Sequence, residues 1–172
     1  VITDINGCSI TDSITLVEPQ PLDITMTSVS NASCYGTATG TATATVTGGA
    51  GSYTYSWSNG QTSATASNLA EGTYIVTVTD INGCQTTDSV TITSPANPVS
   101  ATASVTSNYN GQQISCNGAS DGTAQVIATG GTPGYTYQWS NGSTDAFATG
   151  LDSGIVTVLV TDANGCDTLI TL

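Results

Sequence analysis

The chain repeats itself at an interval of 82 residues. The segment YTYSWSNG at residues 53–60 returns as YTYQWSNG at 135–142, and VTDINGC at 78–84 returns as VTDANGC at 160–166. Both intervals are 82, since 135 − 53 and 160 − 78 agree. ITDINGC at 2–8 is a third copy of the closing segment. Repetition on this scale indicates a tandem array of one structural unit, and such arrays form stalks, spacers or extended surfaces more often than active sites.

The composition removes most chemical functions. The chain has 12 acidic residues and no Lys, Arg or His. It therefore lacks an imidazole base and an amine nucleophile, and it has no cations to neutralise nucleic-acid phosphates. An anionic membrane surface would repel it, and no stretch approaches the roughly 18 apolar residues of a membrane span. Paired-carboxylate glycosidase chemistry is still open on composition alone, but most Asp residues stand beside Gly or Asn in turn-like segments. We predict no catalytic residues, no nucleic-acid partner and no membrane insertion.

The five cysteines follow the repeat. Cys34 and Cys84 are 50 residues apart, and so are Cys116 and Cys166. We predict a disulfide within each pair, worth about 4 kcal/mol on the chain-entropy treatment. Cys8 is then the closing cysteine of a preceding unit, with a partner further upstream. Disulfides imply an oxidising, extracellular location, and buried free thiols are the alternative.

The hydrophobic pattern predicts an all-β fold. Apolar residues alternate with a period of two, turn signals recur about every ten residues, and no stretch has a helical stripe. A small antiparallel sandwich satisfies this pattern. The predicted strands are 22–29, 41–47, 52–58, 62–68, 73–80 and 85–93 in one unit, and 101–107, 123–129, 135–140, 144–149, 155–162 and 167–172 in the next.

The predicted boundaries follow from the prolines. Residues 1–18 are assigned to the final strands of a truncated preceding repeat, and residues 19–95 and 96–172 to two complete repeats. Pro19 and Pro95 each stand 11 residues after a closing cysteine, and Pro21 and Pro98 follow shortly after them. Short proline-bearing joints restrict the chain, so we expect the domains to form a linear, semi-rigid rod.

Turns and core positions recur in both units. Asn-Gly pairs at 59–60, 82–83, 141–142 and 164–165 are predicted to be type I′ hairpin turns, which require positive φ at both residues. Alternate positions of the strands predict the core, which comprises Trp57, Tyr74, Val76, Val78, Trp139, Val156, Val158 and Val160. An aromatic platform for sugar rings is the alternative role for the two tryptophans.

Acidic turn residues are weak candidates for a metal site. Asp80 and Asn82, Asp162 and Asn164, and Asp121 in a Gly-rich turn offer oxygen ligands that suit Ca²⁺. Each motif supplies few of the six or more oxygens that Ca²⁺ takes. Asp as a turn residue that accepts backbone amides is the preferred interpretation, so the prediction is no cofactor, with calcium as the alternative.

The longer motifs resemble a known family. GGxxxYTYxWSNG, followed by LxxGx(Y/V)xVxVTDxNGC, is similar to the SprB repeat of very long surface proteins of gliding and environmental Bacteroidetes. The resemblance spans residues 34–84 and 116–166, with its tail at 1–8. It implies an immunoglobulin-like sandwich, type IX secretion, and a role in adhesion or gliding. Asp-Ser/Thr-apolar triplets also resemble the O-glycosylation acceptor used in Bacteroidetes, which makes Ser13, Ser89 and Thr168 candidate glycosylation sites.

The sequence thus predicts a non-catalytic repeat segment of a long secreted adhesin or filament, acting as a disulfide-reinforced spacer whose partners are adjacent repeats. One alternative is a carbohydrate-binding module that engages surface polysaccharide. The other is a subunit that assembles laterally with other chains into a filament.

Overall fold

A computed structural model describes residues 1–172 and contains fourteen strands. A short N-terminal hairpin pairs two of them, β1 (Ile2–Thr3) and β2 (Ser9–Ile10). The first unit contains β3 (Asp23–Ser30), β4 (Gly40–Thr47), β5 (Thr54–Trp57), β6 (Thr65–Leu69), β7 (Gly72–Thr79) and β8 (Gln85–Ile92). The second unit contains β9 (Ser100–Val105), β10 (Gly122–Thr129), β11 (Thr136–Trp139), β12 (Phe147–Leu151), β13 (Thr157–Thr161) and β14 (Asp167–Thr171).

Each unit is a sandwich of two three-stranded antiparallel sheets. The first unit has sheets β3-β4-β6 and β5-β7-β8, and the second has β9-β10-β12 and β11-β13-β14. The strand order is therefore the same in both units. It matches the pairing of strands A, B and E against C, F and G in an immunoglobulin-like sandwich. The predicted all-β sandwich class is confirmed. No helix of the structure is long and apolar enough to span a bilayer.

The alternation in the sequence decides which face of each strand is buried. In β4, Ala42 and Ala44 are buried, whereas Thr43 and Thr45 lie on the outer face. There the hydroxyl of Thr43 lies 3.0 Å from that of Thr65 on β6, a cross-strand hydrogen bond. Period-two patterning therefore produces one apolar and one hydroxyl-rich face on this sheet.

Each core is built around one tryptophan. Trp57 and Trp139 are each 2% exposed, and their Nε1 groups donate to the backbone oxygens of Ser63 and Asp145 at 2.8 Å. A buried indole needs such a partner, because an unpaired N–H would cost free energy. The buried neighbours of the tryptophans include Val76, Val78, Val158 and Val160, while Tyr74 and Val156 are half-buried against the cores. With both indoles buried, neither offers a face for stacking on sugar rings.

Tyr74 forms a tyrosine corner that the second unit lacks. It stands near the start of β7, and its hydroxyl donates to the backbone oxygen of Ala70 at 3.1 Å. Val156 occupies the corresponding position, where its backbone N–H bonds the oxygen of Leu172 instead. The corner is therefore not required for this sandwich to form.

The Asn-Gly turns differ from the predicted type I′ geometry. Only the glycines have positive φ, with 86° at Gly60 and 84° at Gly83, whereas the preceding asparagines do not. The N–H of Gly83 bonds the oxygen of Asp80 at 3.0 Å, and the N–H of Asp80 bonds the oxygen of Cys84 at 3.0 Å. This is a three-residue loop with one left-handed glycine at its end. The prediction was wrong because the Asn-Gly dipeptide also suits this longer loop. The Asn59-Gly60 turn, moreover, joins β5 to β6 in the opposite sheet rather than two paired strands.

The second unit carries a longer connection before β10. Tyr109 and Gln112 form an isolated bridge around Asn110 and Gly111, whose φ values are 53° and 89°. This is the one Asn-Gly pair of the chain with positive φ at both residues, as a type I′ turn requires.

Gly48 illustrates how tightly the entry to the first unit is packed. A Cβ at this position would lie 1.9 Å from the backbone oxygen of Pro21, and φ is +73°. Gly48→Ala should lower the free energy of unfolding by about 3 kcal/mol, from left-handed strain plus overpacking. Gly60→Ala is the matched control, because its φ is +86° but no atom lies within 4 Å of the added Cβ. Denaturant unfolding that gives equal losses for both variants would contradict the close contact with Pro21.

Candidate functional site: the junction between the two units

The last two strands of each unit are joined by a five-residue loop, here called the tip loop. The tip loops are Asp80–Cys84 and Asp162–Cys166, and the N-terminal hairpin has an equivalent loop at Asp4–Cys8. In each, Oδ1 of the Asp accepts the N–H groups of the Asn and of the Cys, all at 2.9 Å. The Asp therefore folds the loop around its own carboxylate and fixes the position of the cysteine.

In the two units a third donor attaches the tip loop to the sandwich. Oδ2 of Asp80 accepts the N–H of Ala50 at 2.9 Å, and Oδ2 of Asp162 accepts the N–H of Thr132 at 2.8 Å. Both carboxylates are almost fully buried, at 5% exposure. The tip loop is thereby tied to the loop between the second and third strands of its unit.

These hydrogen bonds stabilise the charged form of both side chains. The N–H of Ala50 is the main cause that lowers the pKa of Asp80, with further donors in Cys84 and Asn82 outweighing the effect of burial. For Asp162, burial acts to raise the pKa, but the N–H groups of Thr132, Cys166, Asn164 and Gly165 lower it overall.

The same donors favour the turn interpretation over a calcium site. Three N–H hydrogens already point at each of the Asp80 and Asp162 carboxylates, and the positive ends of those dipoles face the place where a cation would sit. No group of three or more His, Cys, Asp or Glu side chains is arranged to hold a metal. The side-chain nitrogen of Asn164 is engaged elsewhere, as described below.

Asp121 has a structural role of its own. Its Oδ1 accepts the N–H of Ser115 at 3.1 Å, as the hydroxyl of Thr39 accepts the N–H of Ser33 at 2.8 Å in the first unit. Hydrogen bonds from the hydroxyl and the N–H of Ser115 lower the pKa of Asp121. In both units the bond fixes the residue that precedes the first cysteine.

The cysteines pair across the two units. Cys34 and Cys166 form a disulfide with a Cα–Cα distance of 5.8 Å, whereas Cys8, Cys84 and Cys116 are free and exposed. Cys34 belongs to a tight turn, Cys34–Thr37, in which the N–H of Thr37 bonds the oxygen of Cys34 at 3.2 Å. We call this turn, and its counterpart Cys116–Ala119 in the second unit, the Cys-Gly turn. The disulfide thus joins the Cys-Gly turn of the first unit to the tip loop of the second.

The predicted pairs Cys34–Cys84 and Cys116–Cys166 are therefore wrong. The N–H of Ala32 bonds the oxygen of Thr93, which places the Cys-Gly turn beside the end of β8, whereas Cys84 immediately precedes its start. The eight residues of β8 separate these ends by roughly 26 Å, and a disulfide needs Cα atoms about 4.4–6.8 Å apart. The 50-residue spacing measures the distance from one end of a sandwich to the other.

Asn164 adds polar contacts at the same junction. Its Nδ2 donates to the backbone oxygen of Ser33 at 3.0 Å and to the hydroxyl of Thr132 at 2.9 Å. The first of these bonds crosses between units, one residue from Cys34. A crevice beside the disulfide is lined by Cys34, Tyr35, Pro98, Val99, Gly165, Cys166 and Asp167. The proline joint and the disulfide therefore border the same space.

The candidate glycosylation positions have different surroundings. Ser13 and Ser89 are exposed, and the N–H of each bonds Oδ1 of the preceding Asp at 2.9 and 2.7 Å. Thr168 is half-buried on β14, on the side of the strand that carries Ile170 toward the core. Accessibility favours the two serines as acceptors, and modification at all three positions stays a prediction.

Comparison with known families agrees with the motifs. The family described as "SprB repeat" matches residues 26–62 and 108–144. The chain therefore carries two SprB-type repeats, and the resemblance found in the sequence is confirmed. The two matches are again 82 residues apart, and each reaches the Asn-Gly turn after the tryptophan strand. This is a family of structural repeats, associated with cell-surface proteins, and not an enzyme family. No curated protein matches the chain.

The Asp80 carboxylate should make stability depend on pH. Because folding lowers the pKa from its ordinary value of 3.8, the unfolded chain takes up the proton first as the pH falls. The contribution of Asp80 is present above about pH 4 and disappears as the pH falls through the folded-state pKa. Asp80→Asn should therefore lower Tm by several degrees at pH 7 but hardly at all near pH 2.

Asp23→Asn is the matched control for this measurement. Asp23 is exposed on β3 and its carboxylate has no hydrogen-bond partner. Thermal unfolding followed by circular dichroism should give a pH-independent difference for this variant. An equally constant difference for Asp80→Asn would show that the buried charge does not matter.

The disulfide connectivity can be checked directly. Alkylation of the oxidised chain should label three thiols, at Cys8, Cys84 and Cys116, and peptic digestion should yield one linked pair, Cys34 with Cys166. Pepsin is needed because the chain has no Lys or Arg for trypsin. Cys166→Ser should expose Cys34 to alkylation without unfolding either core, since both sulfurs lie at the ends of their units. Linked peptides from Cys34 and Cys84 would restore the pairing within a unit.

Proposed function

We propose that this chain is a non-catalytic spacer segment of a long secreted cell-surface protein, in which repeats linked end to end carry tension. The observation that carries the proposal is the disulfide between Cys34 and Cys166. It adds a second covalent connection to a junction that the proline joint already spans. Two connections at one junction restrict bending and twisting more than one does.

The position of the bond suits a load-bearing role. Tension applied along the chain enters the first unit through β3, crosses from Cys34 to Cys166, and leaves through β14. The 132-residue sequence separation of the two cysteines then lies outside the load path. Most of both sandwiches is thereby shielded from the applied force. On the chain-entropy treatment a loop of this length also stabilises the folded state by about 5 kcal/mol when both units unfold together.

Composition supports a role outside the cell. A disulfide persists in oxidising surroundings, and a chain without Lys or Arg gives trypsin-like proteases no cleavage site. The net charge of −12 favours solubility and opposes lateral collapse of neighbouring rods. SprB repeats are associated with cell-surface proteins, which supports adhesion or gliding as the setting and type IX secretion as the export route.

The carbohydrate-binding alternative has less support. The two tryptophans that would form a stacking platform are buried and hydrogen-bonded. The cavity beside Val105, Ile114, Leu151 and Val156 is lined mostly by aliphatic side chains and backbone, with no aromatic ring. Lateral assembly into a multi-chain filament has no specific observation in its favour.

Single-molecule stretching tests the load path. When the chain is pulled by its termini, the oxidised form should release a contour length shorter by about 440–480 Å than the reduced form, because the 132-residue loop stays closed. Cys34→Ser should show the longer release under both conditions. The variant lacking Cys8, Cys84 and Cys116 is the control and should keep the redox difference. Equal lengths for the oxidised chain and Cys34→Ser would overturn the proposal.

A further inference from the structure

The disulfide uses half of the bonding positions that the two units carry. Each unit has one tip-loop cysteine and one Cys-Gly-turn cysteine, and the bond joins the turn of the first to the tip loop of the second. Cys84, in the tip loop of the first unit, and Cys116, in the Cys-Gly turn of the second, are left exposed and free. They stand at the outer ends of the two-unit segment.

Cys84 is held in the same geometry as its bonded counterpart Cys166. In both tip loops the cysteine N–H bonds Oδ1 of the Asp at 2.9 Å. The preceding glycines have φ of 84° and 82°, at Gly83 and Gly165. The loop thus adopts its bonded shape without a partner.

Cys116 likewise matches its bonded counterpart Cys34. The N–H three residues further on bonds the cysteine oxygen at 3.1 Å for Cys116 and 3.2 Å for Cys34. Gly118 and Gly36 both have positive φ, at 82° and 69°. Both turns are therefore preformed for a tip loop.

Cys84 and Cys116 cannot bond each other within one chain. The former precedes β8 at the far end of the first unit, and the latter precedes β10 at the far end of the second. Two sandwiches placed end to end separate them by roughly 50 Å, whereas a disulfide requires Cα atoms within about 7 Å. Their partners must come from outside the two units.

We propose that Cys84 bonds the Cys-Gly turn of a preceding repeat and Cys116 bonds the tip loop of a following repeat, so that every junction of a longer array carries the same disulfide. This rests on the proposed function as an array of repeats. Each bond forms as two thiols lose two protons and two electrons to an oxidising disulfide, which is reduced to two thiols. Thiol–disulfide exchange of this kind is available in the compartments where such proteins fold.

The resulting ladder would be nearly inextensible. With all junctions bonded, the covalent route along the array runs 32 residues from Cys84 to Cys116 and then crosses to the next tip loop but one. It replaces two 82-residue intervals of chain. The maximum extension of the array should therefore fall about five-fold when the junctions are oxidised, because extended length scales with the residues in the route.

An extended chain tests the proposal. A copy of residues 91–172 is added after Leu172, which continues the 82-residue register, and the chain is refolded in a glutathione redox buffer. We expect two disulfides, Cys34 with Cys166 and Cys116 with the added copy of Cys166. Alkylation of Cys116 should fall at least ten-fold relative to the 172-residue chain. A mirrored chain, in which a copy of residues 19–84 replaces residues 1–8, tests Cys84 against the copy of Cys34.

Control variants separate this proposal from the function on which it rests. Replacing the added tip-loop cysteine by Ser should return Cys116 to full alkylation, while the emission of the added tryptophan reports that the third unit is folded. Cys34→Ser in the extended chain should leave the second junction able to form alone. If the Cys34–Cys166 bond forms but Cys116 stays reactive beside a folded third unit, the ladder is overturned and the spacer stands. If Cys116 instead links separate chains, the ladder is also overturned. Absence of both bonds would overturn the spacer as well.

Discussion

The buried carboxylate at the start of each tip loop determines what the rest of the unit presents to its neighbour. Asp162 accepts N–H groups from Asn164, Cys166 and Thr132, so one side chain shapes the loop and attaches it to the sandwich. Because the charge is almost fully removed from water, these donors are necessary for it to be tolerated. The cysteine at the end of the loop is consequently held at the end of the domain, where the preceding unit reaches it.

The junction combines this preformed loop with a second preformed turn. The Cys-Gly turn of the first unit brings Cys34 to the end where the chain leaves β8, and the proline joint delivers the chain to the tip-loop end of the next unit. Covalent chain and disulfide therefore cross the same short gap. A spacer benefits from this arrangement because both connections oppose rotation at the one place where a tandem array is otherwise free to bend.

Sequence patterns predicted the regular parts of the fold well. All twelve strands of the two units lie close to their predicted positions, because period-two alternation directly reports which face of a strand is buried. The type I′ assignment of the turn at Asn82 was wrong, since a two-residue signal does not specify loop length. The longer loop before β10 contains the turn at Asn110 that does have this geometry, and no repeat comparison pointed to it. For the candidate site, the sequence singled out Asp80 and Asp162 as turn residues but gave no sign of the amides that reach them from Ala50 and Thr132.

The sequence by itself determined that the chain is a tandem all-β array, which cysteines are equivalent, and that cationic or metal-rich chemistry is absent from its composition. These properties depend on composition, periodicity and repetition, which are local and survive without three-dimensional information. Only the tertiary structure decided which cysteines meet. Cys34 and Cys84 belong to the same repeat but lie at opposite ends of one sandwich, whereas Cys34 and Cys166 are separated by 132 residues and lie side by side. Disulfide pairing depends on distances of a few ångströms between chain segments, and spacing along the sequence does not contain them.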